Sequence, residues 1–157
     1  MGCASIIYFL LPTCLPAGRL PTSCPSMIFE IELNTRKNTE FIDITEIVRE
    51  KVAKTGISGG MCLVFVPHTT AGVTINENAD PDVVKDIIST LDKMVPLADA
   101  GYRHSEGNSA AHIKSSILGS SVTVIIENSQ LKLGTWQGIY FCEFDGPRRR
   151  KAWIKII

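Results

Sequence analysis

The run MCLVFV at residues 61–66 is six apolar residues long and has no polar face. A strand of that kind calls for cover on both sides, so it predicts a layered fold with this segment near the centre. Its neighbours in sequence read differently. GVTINE (72–77) alternates, with Val73 and Ile75 on one side and Thr74 and Asn76 on the other. IFEIEL (28–33), EFIDI (40–44), SVTVIIE, GIYFCEFD and KAWIKII supply further strands, and NSQLKLGTWQG carries the turn residues of a hairpin connection.

Three segments have helical spacing instead. In DITEIVREKVAKTGI, Asp43 and Glu46 stand at capping-box spacing, Ile47, Val48 and Val52 give an apolar face, and Gly56 ends the helix. ADPDVVKDIISTLDKMV opens with Asp80 as N-cap and Pro81 as first residue. NSAAHIKSSILG predicts a shorter helix ending at Gly119, with Ala110, Ile113 and Ile117 as its apolar stripe and Ser109, His112 and Ser116 on a different side. Strands outnumber helices and are interspersed with them. The expected class is α+β, with sheets covered in part by about three helices.

The chain has 157 residues, enough for one domain with a real core. Residues 1–26 differ from the rest: they hold one charge, Arg19, with four prolines and three cysteines. No basic region precedes the short IIYFLL run, as a secretory signal would require, and Ile6 breaks the myristoylation pattern begun by MGCAS. The favoured reading is a non-core extension over 1–26, disordered or not native, and one folded domain over 27–157. Sixteen basic and sixteen acidic side chains balance, which gives no reason to expect nucleic acid. No apolar run approaches the ~20 residues of a membrane span. Five cysteines without a CxxC pair favour a reducing, cytoplasmic compartment, with Cys62 and Cys142 as small buried hydrophobes.

All three histidines fall in two polar clusters, PHTTAGVTINEN and YRHSEGNSAAHIK. His68 follows a strand; His104 and His112 flank a helix start, and Gly107 between them permits positive φ. Loop amides at a helix N-terminus make a concavity suited to phosphate or carboxylate. Brought together, His68, His104 and His112 would form a three-nitrogen set for a divalent ion with an open position. The alternative is that two of them simply bond nearby backbone. Trp136 and Gln137 beside glycines offer a flat platform for a heterocycle, or ordinary core. In the run Arg148, Arg149, Arg150, Lys151, the first and third align with Ala152, Ile154 and Ile156, and the second and fourth with Trp153 and Lys155. An inward arginine there suits a phosphate. No GxSxG motif is present to support covalent catalysis.

The segments HTTAGVTINENADPDV, YRHSEGNSAAHIKSSILGSSVT and LGTWQGIYFCEFDGPRRR closely resemble the YjbQ family, in the same order, from about residue 28 onward. That resemblance implies a compact α+β fold built on a β-sandwich of mixed or antiparallel strands, assembled as a homotrimer. It also implies a thiamine-phosphate synthase-like reaction, joining an aminopyrimidine diphosphate to a thiazole phosphate. It implies His68, His104 and Glu106 as catalytic groups, and His68, His104 and His112 as ligands of Mg or Zn. Thr69, Thr70, Asn76, Glu77, Asn108, Ser109, Trp136, Gln137 and Arg148 would bind the small phosphorylated metabolite. A metal-dependent hydrolase of such a metabolite, or a non-catalytic metal- or ligand-binding module, stands as the alternative.

Overall fold

In the computed structural model of the chain, residues 27–157 are described. The first-sheet strands are β1 (Met27–Asn34), β3 (Gly59–Phe65), β5 (Ser121–Glu127), β6 (Gln130–Leu131) and β8 (Arg149–Ile156), in the order β1-β8-β3-β5-β6. A second sheet of three strands, β2 (Glu40–Asp43), β7 (Gln137–Glu143) and β4 (Ala71–Glu77), runs β2-β7-β4. Every pairing is antiparallel. The helices are α1 (Thr45–Thr55), α2 (Pro81–Met94) and α3 (Ser109–Leu118). The α+β class read from the sequence is the class observed.

The main core lies between the two sheets. Val64, Ile154 and Ile156 from the large sheet meet Val73, Ile139 and Phe141 from the small one, and Val48 and Val52 of α1 join them. The opposite face of the small sheet is buried too. Tyr140, Cys142 and Phe144 pack with Leu91 of α2 and Ala111 of α3. The strand covered on both sides is therefore β7, whose residues from Gly138 to Glu143 are all buried. MCLVFV is central in its sheet but covered on one side only. Cys62 and Val64 point inward, while Met61 is 48% exposed beside Ile125 at 61%. The expectation of double cover was attached to the wrong apolar strand.

Local signals mostly worked. Asp80 accepts the Asp82 N–H at the head of α2. Gly56 ends α1 with φ 68°, but the expected capping box does not form at its head: Ile44 is the N-cap, Asp43 takes the backbone N–H and the hydroxyl of Thr45, and Glu46 pairs with Arg49. Asn128 and Ser129, with φ of 53° and 61°, form the two-residue link between β5 and β6.

Helix α3 departs from its predicted face. The buried residues are Ala110, Ala111, Lys114 and Ser115, while Ile113 and Ile117 are exposed. The cause is close approach to β4. A Cβ on Gly72 would stand 2.7 Å from the Gly119 carbonyl oxygen, so small side chains must face the sheet and the isoleucines turn outward. The Lys114 ammonium reaches Asp92 of α2 at 2.5 Å.

Candidate functional site

The loop Tyr102–Asn108 and the first turn of α3 hold one histidine each. Gly107, at φ 75°, reverses the loop so that His104 returns over the helix start. The rings of His104 and His112 meet edge to face, with centroids 5.3 Å apart and planes at 81°. Glu106 lies behind His104, its carboxylate 3.7 Å from Nε2. A cavity of about 420 Å³ opens there, lined by Tyr102, Arg103, His104, Ser109, His112 and Ile113. Its walls are an aromatic ring and an aliphatic chain on one hand, and a guanidinium, a hydroxyl and two imidazoles on the other.

His112 also walls a second cavity, with His68, Thr69, Ser115, Ser116 and Ser120. His68 in turn borders a third, of about 260 Å³, with Asn34, Arg149 and Lys151. The three histidines thus mark a strip of adjoining hollows. They do not share a centre. His68 Nε2 accepts the Lys151 backbone N–H at 3.0 Å, which removes that lone pair from any other use. Burial, and after it the neighbouring Arg150 cation, hold the His68 imidazole below its ordinary pKa.

Under this strip lies a buried polar frame. Glu143, fully buried on the inward side of β7, takes the guanidinium of Arg150 on the inward side of β8 at 2.5 and 2.6 Å. The same carboxylate accepts the Phe144 and Asp145 N–H groups and the Thr35 hydroxyl. Arg150 also donates to the Thr70 hydroxyl at 2.8 Å. A charge pair this deep holds only because its remaining lone pairs and protons are bonded. Thr69 is fixed from the other side, its carbonyl accepting the Ser115 hydroxyl at 2.5 Å.

Arg148 was expected to bind ligand. It stands just outside β8, and its guanidinium is tied to Asp145. Asp145 also takes the Asn108 amide at 3.0 Å, which leaves Asn108 Oδ1 buried without a partner. Asn76, Glu77, Trp136 and Gln137 lie elsewhere. They sit at the far end of β4 and β7, roughly 20 Å along the strand from Ala71. Asn76 Oδ1 accepts the next backbone N–H, the Glu77 carbonyl accepts the Tyr140 hydroxyl, and Gln137 closes its own turn at Gly134. Trp136 is 62% exposed.

Sequence reasoning missed Tyr102, Arg103, Glu143 and Arg150 as parts of the site. A signal was present for the ion pair. Glu143 is a carboxylate inside an apolar strand, in phase with Ile139 and Phe141, and a buried charge of that kind demands a partner. A separate cavity of about 450 Å³ between α1 and β6 offers only Arg49, already paired with Glu46, as a charged group.

The expected metal centre does not form. Among the described residues no group of three or more His, Cys, Asp or Glu could hold a metal ion.

Residues 29–157 match the model of the family described as UPF0047 protein YjbQ-like. The chain is 54% identical to UPF0047 protein YugU of Bacillus subtilis, over 83% of this chain and 99% of that one. It is 50% identical to a UPF0047 protein of Methanocaldococcus jannaschii, over 83% and 94%. A solved protein of the yjbq/upf0047 family from Clostridium acetobutylicum superposes with a TM-score of 0.81 at 60% identity, covering 82% of this chain and 99% of that one. A YbjQ-like protein of unknown function from Sulfolobus solfataricus gives 0.81 at 31% identity, covering 84% and 96%. The chain belongs to the YjbQ-like family. The same findings correct the expected activity. These relatives bear the family designation alone, so neither a thiamine-phosphate synthase reaction nor hydrolysis of a phosphorylated metabolite has support, and the metal-bearing pocket or module falls with the missing ligand group. The reading of residues 1–26 lies outside the described residues.

Proposed function

We propose that this YjbQ-like protein is an acid–base catalyst acting on a small organic anion in the cavity of His104 and His112. The observation that carries the reading is the edge-to-face imidazole pair in one hollow with Arg103, Ser109 and Tyr102. Arg103 makes no ion pair among the described residues, so its fork is available to a carboxylate or phosphate. Tyr102 and Ile113 suit the apolar body of the ligand. An imidazole accepts a proton on one nitrogen and donates from the other, so two in contact can remove a proton from one position and return it to another. The reaction class is isomerisation by proton transfer beside the anionic group.

Phenylpyruvate is a suitable probe, having a ring, a carboxylate and an acidic C–H. In D₂O the protein should speed exchange of the benzylic hydrogens. His112→Gln and His104→Gln should each abolish that acceleration while leaving the fold intact by circular dichroism. Exchange at the uncatalysed rate with the wild type would defeat the proposal.

Self-association is part of it. Met61, Ile125, Ile28 and Trp153 leave an apolar patch on the outer face of the large sheet, which supports the homotrimer implied by the family resemblance. The free, buried thiols of Cys62 and Cys142 support a reducing, cytoplasmic setting. Among the described residues, no helix is long and apolar enough to cross a membrane.

A further inference from the structure

His68 stands apart from the other two histidines. It touches neither of their rings, yet it shares with His112 the wall of the middle cavity. Its Nε2 receives the Lys151 N–H. In a neutral imidazole one nitrogen is the acceptor and the other carries the proton, so that bond puts the proton on Nδ1. Among the described residues Nδ1 has no hydrogen-bond partner.

Two consecutive residues of β8 govern the His68–Thr70 loop. Lys151 holds the imidazole through its backbone, and Arg150 holds the Thr70 hydroxyl through its side chain. Arg150 is itself fixed by both oxygens of Glu143, whose other lone pairs are occupied by two backbone N–H groups and Thr35. The sheets are therefore cross-linked close to His68 by the buried Glu143–Arg150 pair.

We infer that Glu143 and Arg150 are positioning residues that lock His68 as a neutral hydrogen-bond donor through Nδ1, so that the middle cavity takes an acceptor oxygen, carbonyl or anionic, of the ligand. The ligand half of this inference rests on the acid–base reading above; the locking of His68 does not. It also reassigns His68. Expected as a catalytic group and metal ligand, it becomes a fixed donor, alongside the hydroxyls of Ser116 and Ser120. The charged and titratable groups around it are Arg150, Arg149 and Lys151 on β8, Glu143 on β7, Glu32 on β1 and His112 on α3. Of these, Arg150 is paired with Glu143, and Lys151 with Glu30 of β1.

The test is nitrogen NMR on the full chain with ¹⁵N-labelled histidine. Wild-type His68 should show Nε2 bare and Nδ1 protonated near neutral pH. In Arg150→Gln the ring should populate both tautomers. Thr70→Val keeps the buried pair and removes only its link to the loop, so it should give the same change in smaller degree. It also serves where Arg150→Gln fails to fold. A wild-type ring protonated at Nε2 would overturn the inference. So would a ring that behaves identically in wild type and in the folded variants. Phenylpyruvate binding supplies the second arm and should weaken about tenfold in His68→Phe. If phenylpyruvate does not bind wild type while the tautomer result stands, the acid–base reading fails on that ligand and the locked donor survives.

Discussion

At the Ala71 end of β4, polar groups are sunk into the fold; at the Glu77 end they lie on its surface. The first end holds His68, Thr70, Glu143 and Arg150, joined across both sheets. The second holds Asn76, Gln137 and Trp136, each satisfied within a few residues or left in solvent. Both ends belong to segments that resemble one family. Only one is backed by a buried hydrogen-bond frame that spans both sheets. Nearness in a motif therefore predicts little about nearness in a site, because a strand carries residues six apart roughly 20 Å from each other.

The largest expected effect breaks the buried end outright. Glu143→Ala leaves the Arg150 cation unpaired in the core, along with two backbone N–H groups. Urea unfolding should show a loss of about 3–5 kcal/mol. Trp136→Ala, at the exposed end, should change stability by less than about 0.5 kcal/mol. Equal losses at the two ends would erase the contrast.

Next in size is Gly72→Ala, at the seam where α3 meets β4. The new methyl would press on the Gly119 carbonyl, with backbone on both sides and no flexible side chain to yield. Unfolding should shift by about 1–3 kcal/mol. The same seam explains which parts of the site were legible in the sequence. Capping residues and turn residues act locally, so Asp80, Gly56 and Gly107 could be read in place. The face of α3 is a tertiary matter. Spacing nominates Ala110, Ile113 and Ile117 for the core, but a backbone contact at Gly72 keeps only Ala110 and puts Ala111 and Ser115 in the place of the isoleucines. The arginine run shows the same limit. Strand alternation grouped Arg150 with Ala152, Ile154 and Ile156 but left open which set faces inward. It could not tell that Glu143 would consume the guanidinium, nor that Arg148 lies before the strand and turns to Asp145.

Ligand binding should then separate the ends at a smaller scale. Arg103→Ala removes a charged donor from the histidine cavity and should weaken phenylpyruvate binding about tenfold by fluorescence or NMR titration. Trp136→Ala should leave it unchanged. A loss at Trp136 as large as at Arg103 would move the ligand, or a neighbouring copy of the chain, onto the far end.

The smallest expected effect concerns pH. His68 has its folded pKa lowered from 6.5, by burial first and by Arg150 second, while Glu143 works the other way. The unfolded chain takes up a proton on this ring as pH falls through about 6.5. The native state resists until the lower folded value is reached. Within that window the unfolded state binds more protons, so stability falls as pH falls, and above it His68 makes no contribution to the slope. Melting curves of wild type and His68→Gln should therefore run parallel above neutral pH. They should converge or cross between about pH 6.5 and the folded value, because only the wild type loses stability to this group. The ring is partly exposed, which keeps the difference small. Arg150→Gln should shrink it further without abolishing it, since the larger cause, burial, remains. Parallel curves throughout would mean that His68 is free to protonate in the native state, and the polar end of β4 would then be no more rigid than the other.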